Sequence, residues 1–512
     1  MALDKELGTI VSTPESPSPS ALDFVVTKGV VHRGQFVELE YPEGIMIAWV
    51  LDVFKTNKYF ERADAVKEFE SNGSKLNDQF PVSEWEFLMA KAKPLGVFLG
   101  KQFKRPSIPP SPGTKVFVAS DEHLISFLGL DMENGLLVGS MEFHDVPVKL
   151  NLTRLLQKHC AVLAMSGAGK SIFCTDLLEE LLFRKREAGR LAAFVFDVHG
   201  EYSSLAEPAE KPFRDFSNQT RWVKARDIKI AVSKLSPYVL AGFMPNMSSV
   251  QKRELARVFE SLHKSMRDGN GPFDLRDVRS LLVEDKELKD NVKTSLLGWL
   301  HELEELKLFD KIDRPSIVDL AKPGTLSVID LSDITNLKKK QVIVSYFSGA
   351  LFYLRRDKKV PPVVLVVEES HQFIPEGTSK EGALSKSMLR TIAREGRKFG
   401  CSLCLVSQRP IQLDTTTLSQ CNTHVYLRIT NPYDLDHIAK TSEGFDSRST
   451  DIISSLKVGE ALIAGEALNF PVFLRVRQRL SQPSKHERSL EQAAREFEES
   501  SEKARAEAKE FL

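Results

Sequence analysis

The chain has 512 residues, of which 42% are hydrophobic and 27% are charged, a composition typical of a protein with sizeable buried cores. Lys and Arg together number 70, and so do Asp and Glu, so the formal net charge is zero. This balance excludes a protein that coats nucleic acid by bulk positive charge. Any contact with nucleic acid must come from a local concentration of basic residues.

No apolar run in the sequence reaches the roughly 18 residues that would cross a bilayer. The first residues, MALDKELGT, contain early acidic side chains and no apolar segment of the kind that directs export. We therefore expect a cytoplasmic protein with no membrane partner.

The N-terminal part of the chain is rich in short β-prone segments separated by turn signals, among them FVVTKGVV, GQFVELEYP and IMIAWVLDVF. Several short strands at close spacing predict a small barrel or sandwich, which we place at residues 1–110. A Pro-rich stretch at 105–114 marks its connection to the rest of the chain.

From about residue 135, apolar segments alternate with longer helical segments. Continuous apolar runs of this kind predict a parallel sheet covered by helices on both faces, an α/β fold. Residues 248–309 have helical periodicity only, so we expect a core in two parts, 111–240 and 313–482, with a helical insertion at 241–312. The predicted core strands are CAVLAM (160–165), LAAFVFD (191–197), LSVIDL (326–331), PVVLVVEE (362–369), CSLCLVSQ (401–408) and THVYLRIT (423–430).

The last segment, residues 483–512, predicts a charged helix. Leu490, Phe497, Ala504 and Phe511 recur every seven residues, which gives a narrow apolar seam. A solvated tail helix is one interpretation, and we favour a brace that docks on this subunit or on a neighbouring one.

Five cysteines in 512 residues are typical of a reducing compartment without a disulfide framework. Cys401 and Cys404 have CxxC spacing within a strand-like segment. Residues three apart on a strand point to opposite faces, so we expect core packing rather than a metal or redox site.

The strongest chemical signal is the segment 164–171, AMSGAGKS, which follows an apolar strand and opens a helix. Glycines allow backbone N–H groups to turn around a phosphate chain, and the helix N-terminus adds partial positive charge. We expect Lys170 to reach the β- and γ-phosphates of ATP and the Ser171 hydroxyl to bind Mg²⁺. Ala164 stands where the usual pattern has its first glycine. The candidate nucleotide-binding residues of this loop are Ser166, Gly167, Ala168, Gly169, Lys170 and Ser171.

A second predicted strand ends in two carboxylates, Glu368 and Glu369. Paired with a phosphate loop, such a strand places one carboxylate near the metal and the other beside the attacking water. We assign the metal-side role to Glu368, where an Asp is more usual, and the water-polarising role to Glu369.

The segment SKSMLRTIAREGRKFG (385–400) predicts an amphipathic helix, with Leu384, Met388 and Ile392 as its buried stripe and a basic face roughly opposite. A solvated face is one interpretation of the basic residues, and an arginine that reaches a neighbouring subunit's γ-phosphate is another. Arg397 is the first candidate for that role and Arg394 the second. The basic face consists of Arg390, Arg394, Arg397 and Lys398.

Two further strand ends carry polar side chains. Gln408 is in position to contact the γ-phosphate or the water, with a loop hydrogen bond as the alternative. In DVHGEY (197–202), Asp197, His199 and Glu201 follow another strand. We favour local hydrogen bonding there over metal ligation, because only one histidine is involved.

In this order, the motifs resemble the HerA family of ring-forming DNA-translocating ATPases, within the larger HerA/FtsK group. The resemblance spans most of residues 135–480. It is carried by HCAVLAMSGAGKS, FDVHGEY, VVEESHQFIPEG, AREGRKFG, VSQRPIQLDTTTLSQCNTHVYLRITNPYD and GEALIAG.

The resemblance implies a RecA-like P-loop NTPase core with a helical insertion, a small N-terminal β-barrel and a C-terminal brace helix. It also implies a homohexamer with ATP and Mg²⁺ at subunit interfaces, duplex DNA in the pore and a NurA-type nuclease as partner in DNA end resection. Residues matching Lys170, Ser171, Glu369 and Arg397 serve in that family as phosphate lysine, magnesium ligand, catalytic carboxylate and trans-acting finger. Lys158 matches a basic residue that contacts nucleotide, where Arg is more usual.

Two other functions remain open at this level. One is a conjugation-type or secretion ATPase that moves DNA or protein at a membrane. The other is an ATP-binding ring scaffold that hosts a nuclease or defence effector and moves nothing.

Overall fold

The structure, a computed structural model, describes most of the chain and divides it into two compact units. The first unit comprises Met1–Glu133, Gly139–Lys149 and Leu468–Arg475, and the second comprises Asn134–Val138, Leu150–Ala467 and Val476–Leu512. The described residues are 5–57, 60, 67, 71, 86–99, 102–377, 383–441, 447–484, 490–492, 494–495 and 497–500.

The first unit contains a small closed barrel. Its strands lie in the order β2-β1-β7-β3-β4-β5-β6, and a further antiparallel pairing of β2 with β5 closes six of them into a ring. Inward-facing side chains such as Phe24, Leu39 and Met46 fill the interior, so the predicted N-terminal β-barrel is confirmed. The strands are β1 (Glu6–Val11), β2 (Leu22–Val26), β3 (Phe36–Tyr41), β4 (Gly44–Asn57), β5 (Glu86–Leu99), β6 (Gln102–Lys104) and β7 (Lys115–Val118).

The second unit is built on a mostly parallel sheet. Eight of its strands lie in the order β12-β15-β11-β16-β17-β10-β18-β19, and every pairing except that of β18 with β19 is parallel. The six core strands predicted from apolar runs are all present. The strands that follow the barrel are β8 (Leu136–Met141), β9 (Pro147–Leu150), β10 (Cys160–Leu163), β11 (Ala192–Asp197), β12 (Thr220–Lys224), β13 (Ile230–Ala231), β14 (Phe309–Asp310), β15 (Leu326–Asp330), β16 (Val363–Val367), β17 (Cys401–Ser407), β18 (Thr423–Tyr426), β19 (Glu460–Gly465) and β20 (Val472–Val476).

Helices connect these strands, and four of them, α4 to α7, follow one another between β13 and β14. Capping boxes at Ser248 and Asp274 fix where two of the four begin. This is the helical interruption that the sequence predicts. The helices are α1 (Asp121–Leu128), α2 (Leu152–Leu156), α3 (Lys170–Phe183), α4 (Pro237–Gly242), α5 (Ser249–Arg267), α6 (Leu275–Glu284), α7 (Asp290–Glu305), α8 (Ile317–Leu320), α9 (Leu337–Arg356), α10 (Lys386–Phe399), α11 (Thr415–Leu418), α12 (Pro432–Thr441) and α13 (Ser447–Ser455).

Parallel pairing positions the chemistry. Because β10, β11, β16 and β17 run in the same direction, the polar segments that follow them meet at one edge of the sheet, the carboxyl edge. Cys401 and Cys404 are fully buried in β17, which agrees with a packing role. On α10 the buried residues are Leu389, Ile392, Ala393 and Gly396, so the buried stripe shares only Ile392 with the predicted one.

The C-terminal segment is helical at 490–492, 494–495 and 497–500. Leu490 is 88% exposed and Phe497 is 73% exposed, while Ala504 and Phe511 lie outside the described residues. The brace therefore stays a prediction. In the part of the chain that the structure describes, no helix has the length and apolar character that crossing a bilayer requires.

Candidate nucleotide site

The phosphate loop connects β10 to α3 with the backbone geometry that its glycines permit. Gly167 has φ +75° and Gly169, at the helix N-cap, has φ +96°, a region that side-chain-bearing residues rarely adopt. Helix α3 begins at Lys170 and has 14 residues. The loop therefore ends at the N-terminus of this helix, which is suited to bind an anion.

A cleft of about 420 Å³ opens above this loop. It brings together residues from the phosphate loop, from the segments after β11, β16 and β17, and from the segment before β19. Five of the six predicted loop residues line it, as does Gln408, whereas Ala168 is buried and does not. The lining residues are Ser166, Gly167, Gly169, Lys170, Ser171, Ile172, His199, Glu201, Glu369, Gln408 and Val458.

Glu369 lies at the centre of the charged groups in this cleft. Its Oε1 atom accepts a hydrogen bond from Lys170 Nζ at 3.2 Å and lies 3.6 Å from His199 Nε2, while its Oε2 atom lies 3.4 Å from His371 Nδ1. Burial alone would raise the pKa of this carboxyl, but the contacts with His199 and Lys170 outweigh burial and lower the pKa to about 2. Glu369 is therefore ionised at neutral pH.

The backbone of Glu369 is also unusual. Its φ of +45° lies in the left-handed region, which costs a non-glycine residue free energy and clusters at functional sites. This turn directs the side chain towards the phosphate loop. Ser370 stabilises the turn because its hydroxyl donates to the Val406 carbonyl at 3.1 Å.

Glu368 points away from the cleft. Its Oε1 atom accepts a hydrogen bond from the Tyr202 hydroxyl at 2.7 Å, and the residue is 2% exposed. Burial, together with the nearby carboxylates of Asp197 and Glu201, raises the pKa of Glu368 well above its usual value. The side chain is thus a buried acid that does not line the cleft, and its metal-side role stays a prediction.

Glu201 occupies the position beside Ser171. The Ser171 hydroxyl donates a short hydrogen bond to Glu201 Oε2, and both residues line the cleft. The segment that holds Glu201 is folded around Asp197, whose carboxylate accepts the backbone N–H groups of residues 199, 200, 201 and 202 at 2.7–3.2 Å. Asp197 therefore makes the local hydrogen bonds that we expected. The turn that these hydrogen bonds stabilise places His199 and Glu201 in the lining of the cleft.

The donor set fits Mg²⁺. A hydroxyl and a carboxylate oxygen in contact at the base of a phosphate cradle are the hard oxygen ligands that Mg²⁺ prefers, with phosphate oxygens and water as the others. One carboxylate oxygen nearby, Oε2 of Glu368, is buried without a hydrogen-bond partner among the described residues. Ser171 and Glu201 are thus the residues placed to hold the ion.

Lys158, Arg394 and Arg397 lie at the opposite edge of the sheet from the cleft, here named the amino edge. Lys158 comes just before β10 and the phosphate loop just after it, so the four residues of that strand separate them by about 13 Å. Lys158 Nζ forms a short ion pair with Glu466. Arg394 and Arg397 are exposed and form no ion pair with the described residues. These cations do not reach the phosphate loop of their own chain.

The remaining two members of the predicted basic face have partners. Arg390 pairs with the buried carboxylate of Asp414, and Lys398 pairs with Glu395 at 2.7 Å. Arg394 and Arg397 are left as the cations of α10 that are available to another molecule.

The site can now be compared with known proteins. A family model described as the central domain of the helicase HerA matches residues 136–351. A Pyrococcus furiosus protein described as DNA double-strand break repair helicase HerA is 29% identical over 509 residues, covering 89% of this chain and 87% of the relative. A Sulfolobus acidocaldarius protein with the same description is 28% identical and covers 87% of this chain and 88% of the relative. The chain is thus similar to the HerA family over most of its length.

A solved structure supports the fold. VirB4 of Thermoanaerobacter pseudethanolicus superposes with a TM-score of 0.51 at 16% identity, covering 68% of this chain and 98% of VirB4. At that identity the likeness concerns the fold alone. It agrees with a RecA-like P-loop NTPase core.

Sequence reasoning favoured local hydrogen bonding over metal ligation for His199 and Glu201, and it did not predict that both would line the cleft. The signal was present in DVHGEY, since β11 ends in this segment at the same edge as the phosphate loop. What the sequence could not supply was the turn around Asp197 that brings Glu201 to Ser171. Without that turn, Glu368 was the more obvious partner for Ser171.

Proposed function

We propose that this chain is an ATP hydrolase that uses ATP to move along duplex DNA as a homohexameric ring. The observation that carries the proposal is the 3.2 Å contact between Lys170 Nζ and Glu369 Oε1 inside a glycine-rich phosphate cradle. A P-loop lysine and an ionised carboxylate that share one cleft are the two groups that hydrolysis of a γ-phosphate requires. The relatives from Pyrococcus furiosus and Sulfolobus acidocaldarius, named as DNA double-strand break repair helicases, support DNA as the track.

The residues of the cleft have separable tasks. Backbone N–H groups of the phosphate loop and Lys170 bind the phosphate chain. Binding of ATP would draw Lys170 towards the phosphates and release Glu369 Oε1 to accept a hydrogen bond from the attacking water. Gln408, which lines the same cleft, would bind that water or the γ-phosphate. Bound Mg²⁺, held by Ser171 and Glu201, would supply charge neutralisation on the phosphates.

The positions of the arginines support a catalytic site that a second subunit completes. No arginine lines the described cleft, while Arg394 and Arg397 are exposed at the amino edge. In a head-to-tail ring, the amino edge of one subunit would face the cleft of the next. We propose Arg397 as the group that stabilises transition-state charge in the neighbouring site, with Arg394 as the alternative and Lys158 as a nucleotide contact.

The biological setting that we propose is DNA end resection with a NurA-type nuclease. A motor that encircles duplex DNA would deliver the DNA end to a nuclease bound at one face of the ring. The two relatives described as DNA double-strand break repair helicases support a role in double-strand break repair.

The test combines ATP hydrolysis with movement. We expect wild-type protein to hydrolyse ATP faster when linear duplex DNA is added, and to displace the third strand from a triplex at the end of that duplex. Glu369→Gln should bind ATP and DNA but lose 10²-fold or more of the hydrolysis rate, about the contribution of a positioned general base.

Two results would contradict the proposal. Hydrolysis that duplex DNA does not stimulate, from an intact ring, would favour an ATP-binding scaffold. Unchanged hydrolysis in Glu369→Gln would show that another group polarises the water.

A further inference from the structure

Three lysines converge near the start of α9, and none of them forms an ion pair with the residues that the structure describes. They are Lys229, Lys307 and Lys339, and we name them the lysine cluster. They come from three different elements: the segment before β13, the turn after α7 and the first turn of α9. In a chain with zero net charge, a local concentration of cations without ion-pair partners among the described residues requires an explanation.

Direct contacts hold two of these lysines together. Lys229 Nζ donates a hydrogen bond to the Lys307 backbone carbonyl at 2.8 Å. The backbone of Lys229 is in turn fixed by two hydrogen bonds with Arg314, at 2.8 and 2.9 Å. The ammonium group of Lys229 is therefore held beside Lys307 by the fold rather than by a carboxylate.

Lys339 completes the cluster from α9. Its backbone N–H donates to the capping side chain of Asn336 at 3.1 Å, which fixes the first turn of this 20-residue helix. Its pKa is lowered, first by partial burial and then by the positive charges of Lys229 and Lys307, with Asp333 acting in the opposite direction. The three cations are thus close enough to repel one another.

The neighbouring lysines differ from the cluster. Lys338 pairs with Glu302 at 2.7 Å, and Lys340 is under the influence of Asp333, Asp330 and Asp197. The helix macrodipole also disfavours cations in a first turn, and this first turn contains no acidic residue. The lysine cluster therefore lowers folding stability in two ways. The three cations repel one another, and Lys339 interacts unfavourably with the helix macrodipole.

An anion with several negative charges would offset both costs. Backbone N–H groups at the helix N-terminus and three ammonium groups suit the phosphate oxygens of a nucleic-acid backbone, which lysines bind without reading sequence. The cluster lies beyond the end of β15, at the carboxyl edge that also carries the nucleotide cleft. A contact there would connect bound DNA with the edge at which ATP is hydrolysed.

We propose that the lysine cluster is a phosphate-backbone contact for duplex DNA. This inference rests on the proposed function, since it takes duplex DNA as the track. It goes further by assigning residues to the contact. The cluster supplies the local concentration of basic residues that a neutral DNA-binding chain requires.

The test measures the affinity of full-length protein for a fluorescein-labelled 30-base-pair duplex at several KCl concentrations by fluorescence anisotropy. Each phosphate contact contributes roughly 0.9 to the slope of log K against log salt, and about tenfold in affinity at 0.1 M salt. Because every subunit of the proposed ring carries the substitution, we expect Lys339→Gln to lower the slope and the affinity by about these amounts for each subunit whose Lys339 contacts the duplex. Lys339→Arg, which keeps the charge, should bind as wild type does.

Lys338→Gln is the matched control, because it removes the same charge from the adjacent position of the same turn but from a lysine that is already paired. We expect it to change the slope by much less than Lys339→Gln. ATP binding in the absence of DNA should be the same in all variants, which checks that the nucleotide cleft is intact.

The outcomes separate the inference from the proposed function. If wild type binds the duplex and Lys339→Gln binds it equally well, the inference is wrong and the proposed function stands. Equal losses in Lys338→Gln and Lys339→Gln would also overturn the inference, since they would indicate a general charge effect. If wild type binds no duplex at any salt concentration, both are wrong.

Discussion

Ser171 and Glu201 define the chemistry of the cleft at the scale of single residues. A hydroxyl that donates to a carboxylate at a helix N-terminus is an arrangement that a divalent cation can take over, because both oxygens then become ligands. Glu368 is buried, accepts a hydrogen bond from the Tyr202 hydroxyl and does not line the cleft. We therefore propose Glu201 for direct metal contact and Glu368 as a buried support.

The first prediction follows from this assignment. Glu201→Gln should weaken binding of ATP in the presence of Mg²⁺ by about 10- to 100-fold, the usual cost of losing a group that orients or binds a metal. ATP binding in EDTA should change little, because the phosphate loop is untouched. Calorimetric titration of each protein with ATP, with and without Mg²⁺, measures both quantities.

Glu368→Gln is the comparison for that experiment. It keeps the shape of the side chain and an acceptor for the Tyr202 hydroxyl, so its effect on Mg²⁺-dependent binding should be smaller. A loss of ATP affinity in Glu201→Gln that is equally large in EDTA would contradict the assignment.

These two carboxylates also show what sequence can and cannot predict at this scale. Phosphate loops and strand-end carboxylates are local patterns, so Lys170, Ser171 and Glu369 were predicted and line the cleft. Which carboxylate reaches Ser171 depends on the turn that Asp197 holds with backbone hydrogen bonds. Such a turn follows from no pattern of residue types, and for that reason the sequence did not predict that Glu201 would contact Ser171.

At the scale of elements, helix α3 is held by a buried ionic contact on the face away from the cleft. The Arg477 side chain, 12% exposed, lies 2.8 Å from Glu179 and 3.3 Å from Asp176. Burial raises the pKa of Asp176 to about 8 despite this cation, and Glu180 lies 3.5 Å from the same guanidinium group. Glu179 also accepts the backbone N–H groups of Leu480 and Ser481, which fixes the chain after β20 against α3.

The second prediction concerns this contact. Arg477→Met should lower the free energy of unfolding by about 3–5 kcal/mol, because it leaves the buried carboxylate of Glu179 without its cation. Urea unfolding followed by circular dichroism measures the change. Arg279→Met removes an exposed arginine that lies 3.3 Å from Glu304, and it should cost no more than about 1 kcal/mol. Similar losses in both variants would contradict this account.

The third prediction concerns pH and the connection of β10 to β17. His159 is 2% exposed; its Nδ1 atom accepts the Leu403 backbone N–H at 2.9 Å and its Nε2 atom lies 3.0 Å from the Ala393 carbonyl. Burial lowers its pKa to about 4, below that of an unfolded chain. Between the pKa of the folded state and the higher pKa of the unfolded chain, the unfolded state binds a proton that the folded state does not. The free energy of unfolding that His159 contributes is therefore present at neutral pH and is lost as the pH falls.

Comparison with His159→Gln isolates this contribution. From about pH 6.5 down to about pH 4, the stability of wild type should fall relative to the variant by about 1.4 kcal/mol per pH unit. Above pH 7 the difference between the two should be constant. Parallel stability curves across this range would show that His159 is not held neutral.

The order of the strands also belongs to the scale of elements, and it explains why so much of the fold was predictable. Continuous apolar runs separated by helical periodicity predicted the six core strands, since strands covered on both faces contain little else. The barrel was predicted as a class from its short strands. Its closure through the β2–β5 pairing depends on contacts distant in sequence, which local patterns do not encode.

At the scale of the whole molecule, the two halves of the proposed catalytic site lie on opposite edges of one sheet. The cleft carries the phosphate loop and Glu369, and the amino edge carries Arg394 and Arg397 without ion-pair partners among the described residues. Neither of these two arginines lines the cleft of its own chain. Activity should therefore depend on assembly and fall when the protein is diluted below the concentration at which it associates.

The last prediction tests this dependence by mixing two inactive proteins. Lys170→Ala destroys the phosphate loop of a subunit and leaves its arginine, whereas Arg397→Ala leaves the loop and removes the finger, a loss of about 10³- to 10⁵-fold in hydrolysis. In an equimolar mixture that is allowed to exchange subunits, an intact loop faces an intact arginine at about one site in four. The mixture should then hydrolyse ATP at about a quarter of the wild-type rate, measured by phosphate release. If Arg397→Ala alone hydrolyses ATP as fast as wild type, Arg394 would be the group that stabilises the transition state in the neighbouring site. If the mixture is inactive although its subunits are shown to exchange, an arginine supplied by a neighbouring subunit would be excluded.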